Sequence, residues 1–192
     1  MKRAYMDIPE GQVHYRSEGS GEPLLMMHQG MYSSDEFEKM APLLSGRYRV
    51  IARDMLGYGM SDVNPPDYRI EDYARADISF MKALGIERAS IVGVHSGVRV
   101  ALEIAATHPE MVGRLVIYGA VGYAPGLREK LKKSYTFSPV ELQEDGSHLT
   151  ARLWRTAQKY GAKASVADLN RVVIAAAMAG GGAFHAMRLR VR

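Results

Sequence analysis

The chain reads as an α/β protein with a mostly parallel sheet, and three observations predict this. Short apolar runs alternate with helical patterns over the first 120 residues. The run Ser90-Ile-Val-Gly93-Val-His95-Ser96-Gly97-Val-Arg-Val-Ala-Leu-Glu103 places a buried strand, a Gly-x-His-x-Gly turn and an amphipathic helix in succession. The texture then changes after Gly122, beyond which only helical patterns are found.

Taken in order, Tyr5–Ile8 and Gln12–Arg16 predict a hairpin around Pro9-Glu10-Gly11. Pro23–His28 predicts a buried strand. Ser34–Leu44 predicts one helix with Phe37, Met40, Ala41 and Leu44 on a single stripe and Ser34 as its N-cap, although Pro42 disturbs its last turn. Arg49–Arg53 is a further strand, followed by Asp54-x-x-Gly57-x-Gly59-x-Ser61-Asp62. Ile70–Leu84 predicts a helix ended by Gly85 at C′. Ala89–Val94 is the strand into the turn, and Val98–Thr107 the helix out of it, closed by His108-Pro109. Arg114–Ala120 predicts one more buried strand. In the helical part, Val166–Ala179 predicts an Ala-rich helix with Val172, Val173 and Ile174 on its buried face.

The domain organisation expected is a core over 1–123, a helical cap over 124–187 and a basic tail over 188–192. With 192 residues, 47% hydrophobic and 24% charged, the chain fits one soluble globular domain. No apolar run reaches the roughly 18 residues that span a bilayer, so no membrane association is expected. There is no cysteine, which excludes disulfides, thiolate metal sites and a cysteine nucleophile, and fits a cytoplasmic setting. Residues 1–123 carry 13 Lys/Arg and 16 Asp/Glu, net −3; residues 124–192 carry 12 and 5, net +7. The basic residues are not interleaved with aromatics, so no nucleic-acid partner is expected. No His/Asp/Glu cluster has ligand spacing, and neither a metal nor a cofactor is expected.

Four pieces carry a family resemblance: strand-His28-Gln29-Gly30, the Asp54–Asp62 loop, Gly93-x-His95-x-Gly97 and His108-Pro109-Glu110. In this order and spacing the chain resembles the α/β-hydrolase superfamily over roughly residues 10–187. The resemblance implies the α/β-hydrolase fold and a partial helical cap but no particular substrate; the partner expected is a small-molecule substrate. Met27-His28-Gln29-Gly30, Ser33-Ser34-Asp35-Glu36-Phe37 and the His95-Ser96 turn also resemble a bacterial subgroup with a small polar residue after a histidine at the elbow.

Where the family keeps its nucleophile, this chain has His95, and Ser96 stands one place late. Imidazole as a class titrates near neutrality, so a histidine here is a candidate nucleophile or general base. Two other readings stand beside it: Ser96 as nucleophile with His95 adjacent, and His95 as a liner of a pocket that has lost its catalysis. The resemblance assigns the oxyanion donors to Ser96 N–H and Gly30 N–H, with Gln29 replacing the usual middle glycine. Tyr32 and Tyr118 are candidate pocket residues, His28 is read as shaping its loop, and Asp54 as holding the Gly57–Gly59 loop. A carboxylate-dependent dehalogenation is disfavoured, since position 95 has no carboxylate.

In the family an acid and a histidine follow on later strands. No strand pattern follows residue 120 to carry them. The expectation is therefore a chain that is truncated or frame-shifted, or one whose open sheet edge is completed by a second copy in a homo-oligomer. The function expected is hydrolysis of a small ester, lactone or related carbonyl compound. The alternatives are a non-catalytic ligand-binding module and an inactive hydrolase fragment.

Overall fold

A computed structural model of the chain describes residues 1–30, 32–65, 67–119, 143–147, 154 and 165–178. The expected cap over 124–187 and tail over 188–192 therefore lie largely outside the described residues.

Short apolar runs build the sheet. Strands β1 (Lys2–Ile8) and β2 (Gly11–Glu18) form the antiparallel hairpin, with Tyr5 opposite His14. Strand β3 (Glu22–Met27) and β4 (Tyr48–Arg53) run parallel, and β2 returns antiparallel along β4. β5 (Ala89–Val94) lies beside β3, and β6 (Val112–Tyr118) beside β5, both parallel. The resulting order is β1-β2-β4-β3-β5-β6. This is the expected α/β architecture with a mostly parallel sheet.

Side chains leave a strand alternately to its two faces. Leu25, Met27, Ile51 and Ile91 pack on one face with Phe80, Met81, Val100 and Ile104. Leu24, Met26, Val50 and Ala52 pack on the other with Phe37 and Ala41. Strands buried on both faces explain why β3, β4 and β5 read as continuous apolar runs.

Three expectations are corrected. Ser34–Leu44 is not one helix: a 3₁₀ turn (Ser34–Phe37) is followed by a separate short helix α1 (Ala41–Leu44). Pro42 sits in the first turn of α1, where its missing N–H costs nothing, so it starts a helix instead of ending one. Ser33, not Ser34, precedes the 3₁₀ turn, and Met40 faces solvent. The second correction concerns β6, which lies outermost among the described strands and is largely exposed, with Val116, Ile117 and Tyr118 open on it.

Helix α2 (Ile70–Ala83) behaves as its pattern predicts. The Asp72 carboxylate accepts the Arg69 N–H at its start (2.8 Å), and Gly85 (φ 68°) turns the chain at its end. The Ile86 N–H then reaches back to Met81 O at 2.9 Å. Helix α3 (Ser96–Thr107) begins two residues earlier than expected, directly after His95. Helix α4 (Val166–Met178) buries Leu169, Ala175 and Ala176, and the third correction is that Ile174 is exposed. Ser165 Oγ caps α4, accepting the Asp168 N–H at 3.2 Å. Lys39–Asp168 and Arg171–Glu38 contacts, each 3.1 Å, tie this helix to the segment after β3. Among the described residues no helix is long and apolar enough to cross a membrane.

Candidate active site

The site forms where the parallel strands end. β3 delivers His28-Gln29-Gly30, β4 delivers Asp54 and the loop behind it, and β5 delivers His95. Their adjacency follows from the register, which pairs Met27 with both Arg53 and Gly93.

His95 has φ 48° and ψ −102°, and it is the one non-glycine residue at positive φ among the described residues. Such a conformation costs on the order of 1–3 kcal/mol and persists only where its surroundings enforce it. Three features enforce it here. The His95 N–H donates to Tyr118 O at 2.8 Å, which holds the backbone to β6. A Cβ on Gly97 would lie 2.3 Å from Met27 O, and one on Gly93 would lie 2.8 Å from Val98 Cα. Both glycines are thus required for α3 to lie against the strand ends and for the chain to turn so sharply. The strain presents the His95 side chain to solvent, and no hydrogen-bond partner holds its imidazole among the described residues.

Ser96 is the next residue. It is buried, and its Oγ accepts the Gly30 N–H at 2.6 Å across 66 positions of sequence. Gly30 N–H, expected to face a substrate oxygen directly, is thus engaged by the serine hydroxyl. Gln29 is held by Glu36: its N–H donates to Oε2 at 3.0 Å and its Nε2 to Oε1 at 2.7 Å. Burial pushes the Glu36 carboxyl up, against the pull of the Gln29 bonds. The missing middle glycine is accommodated because a side-chain amide at position 29 has this carboxylate to bind. Tyr32 is half-buried, donates its N–H to Gln29 O at 3.2 Å, and has its phenol pushed up by burial and by the nearby Glu36, Asp35 and Asp168 charges. Tyr118 contributes its carbonyl to His95, while its side chain is 73% exposed on the edge strand.

Beneath these residues lies a buried polar layer. His28 is fully buried; its Nε2 accepts the Met55 N–H at 3.0 Å, so the Nδ1–H donates to Gln29 O at 2.8 Å. Burial, aided by the Arg53 charge, pushes the His28 imidazole down to about 4, which keeps it neutral. Its role is the loop-shaping one expected. Asp54 accepts from His14 Nδ1 (2.8 Å), Ser34 N–H (2.6 Å) and Met60 N–H (2.9 Å). Burial alone would raise its carboxyl; these donors hold it well below the usual carboxylate range. Arg53 and Asp77 form a buried two-point ion pair between β4 and α2.

Sequence reasoning missed the His14–Asp54 pair, the Arg53–Asp77 pair and the Glu36 clamp. The pattern of β2 carried no signal for His14, because adjacent Val13 and His14 are both buried and the strand does not alternate there. Among the described residues no group of His, Cys, Asp or Glu could hold a metal ion.

A family model of the alpha/beta hydrolase fold matches residues 22–178. The chain belongs to the α/β-hydrolase family. It is 35% identical over 136 residues to 2-hydroxy-6-oxo-6-phenylhexa-2,4-dienoate hydrolase of Comamonas testosteroni, covering 66% of this chain and 48% of that protein. It is 34% identical over 133 residues to 2-hydroxymuconate semialdehyde hydrolase of Pseudomonas sp. (strain CF600), covering 67% and 47%. The chain thus spans about half the length of these curated relatives. Among solved structures, a mutant of the N-acyl homoserine lactonase AidH bound to N-hexanoyl homoserine lactone superposes with a TM-score of 0.74 at 27% identity. That match covers 98% of this α/β-hydrolase chain and 69% of the lactonase.

Proposed function

We propose that this α/β-hydrolase chain hydrolyses a small ester, lactone or related carbonyl compound, with His95 as the reacting side chain. The observation that carries this reading is the strained backbone of His95, held by Tyr118 O and two obligatory glycines, which turns an imidazole outward at the end of the parallel sheet. The relatives named above act on oxo-dienoates, a semialdehyde and a lactone, all compounds with a reactive carbonyl.

The chemistry runs through two additions. The imidazole lone pair adds to the acyl carbon, and the carbonyl pair moves onto oxygen. The tetrahedral oxyanion collapses, the C–O bond to the leaving group breaks, and the alkoxide takes, through water, the N–H proton that the acylated ring gives up. Water then adds to the acyl-imidazole, releasing the acid and the free histidine. Among the described residues no acid orients the imidazole, so substrates with good leaving groups are favoured. The test is intact-mass analysis of the chain quenched during turnover of p-nitrophenyl acetate. An added acetyl mass that maps to His95 supports the reading; its absence at every quench time opposes it.

The lack of a side-chain partner for His95 among the described residues favours a second reading, in which the site binds a small ligand without turning it over. Saturable binding of an ester with no hydrolysis above background would establish that reading instead.

A further inference from the structure

The bond between Gly30 N–H and Ser96 Oγ carries an inference about how the site handles negative charge, one that rests on the hydrolytic reading above. Gly30 N–H is taken up by the Ser96 oxygen at 2.6 Å. Ser96 is 6% exposed, and among the described residues nothing accepts its hydroxyl proton. A buried hydroxyl that accepts a strong bond and donates none has one unused donor. Ser96 is also the first residue of the twelve-residue helix α3, so its own N–H has no partner within the helix.

We propose that the Ser96 hydroxyl, polarised by Gly30 N–H, is itself a donor to the substrate oxyanion. The hole then consists of the N–H and the O–H of one residue, with Gly30 acting through the serine instead of touching the substrate. Donation into a hydroxyl oxygen strengthens the bond that hydroxyl gives onward. During the reaction Ser96 keeps its proton: as the imidazole adds to the acyl carbon, the carbonyl pair settles on oxygen and the Ser96 O–H shortens its bond to it. When that pair re-forms the carbonyl and the leaving group departs, the hydroxyl relaxes. No atom is exchanged with Ser96. This differs from a serine nucleophile, for which the Ser96 oxygen would give up its proton and bond to the acyl carbon.

Ser96→Ala tests it on two readouts. First, kcat on p-nitrophenyl butyrate falls on the order of 10-fold with KM little changed, less than the loss of a whole oxyanion donor because the bared Gly30 N–H takes over in part. Second, in the ¹⁵N-labelled chain, titration with hexanoate moves the Gly30 amide signal strongly in Ser96→Ala and weakly in wild type. A Ser96→Ala chain as fast as wild type, or faster, overturns the inference; the hydroxyl is then a bystander or a plug. So does a Gly30 amide that responds equally in both chains. If His95 proves not to be catalytic, both chains hydrolyse at background, and the Gly30 amide comparison alone decides this point.

Discussion

His28 Nε2 accepts the Met55 N–H at 3.0 Å inside a fully buried site, and that bond requires the imidazole to be neutral. The consequence is a stability that depends on pH. The folded chain holds His28 at about 4, below the 6.5 of the unfolded state. Between these values the unfolded state binds the extra proton, so stability is complete above pH 6.5 and falls as pH drops towards 4. The loss approaches about 3 kcal/mol at the lower end. Asp54, held low by His14, Ser34 and Met60, adds a further loss below the ordinary carboxylate range. Urea midpoints measured from pH 7.5 to 4 should decline steadily, and His28→Asn should flatten the part between 6.5 and 4.

The Arg53–Asp77 pair joins β4 to α2 with both side chains inside the protein. Among the described residues Arg53 Nη1 has no partner even with Asp77 present. Removing one member of a buried pair leaves the other uncompensated, which costs about 3–5 kcal/mol. Asp77→Asn is expected to lose this much in denaturant unfolding. A change below 1 kcal/mol would mean that water reaches the arginine.

Gly97 has no room for a methyl group, because a Cβ there meets Met27 O at 2.3 Å and His28 O at 2.8 Å. Both contacts are with backbone, which cannot rotate away. Gly97→Ala should therefore lose about 3 kcal/mol or more, the upper range for overpacking, and lower the melting temperature. It should also shift the amide signals of Met27, His28 and His95 together.

Glu36 fixes the loop that carries Gly30 by binding both the N–H and the side chain of Gln29. Glu36→Ala frees both donors. The expected cost in global stability is about 1 kcal/mol, since the site is only partly buried. Hydrogen exchange at Gln29 should accelerate far more than in the core strands. Equal acceleration throughout would show that the clamp supports the fold and not the loop.

Much of this architecture was legible in the sequence because it is local. Ala89–Val94 and Gly85 are legible because a short apolar run before a glycine turn and a C′ glycine are signals that a few neighbouring residues carry. The Ser34–Leu44 segment misled because its apolar stripe suits a helix, while Pro42 is equally suited to beginning one. β6 misled because an apolar run looks the same on an edge as in the centre of a sheet. The site's internal wiring was not legible for a different reason. Ser96–Gly30 joins positions 66 apart and His14–Asp54 positions 40 apart, and each depends on strand register as well as residue type. The Gly-x-His-x-Gly turn lies between these cases: its glycine spacing announced the sharp bend, but only the strand ends beneath it explain why both glycines are needed.

The central claim is that His95 performs the chemistry. Its most direct test is the rate of p-nitrophenyl ester hydrolysis by the wild-type chain and by His95→Ala at equal concentration. Among the described residues His95 has no side-chain partner, so the substitution should leave the melting temperature nearly unchanged. The account predicts a rate above the buffer background for wild type and a fall to background for His95→Ala. Equal rates for two equally stable proteins would contradict it.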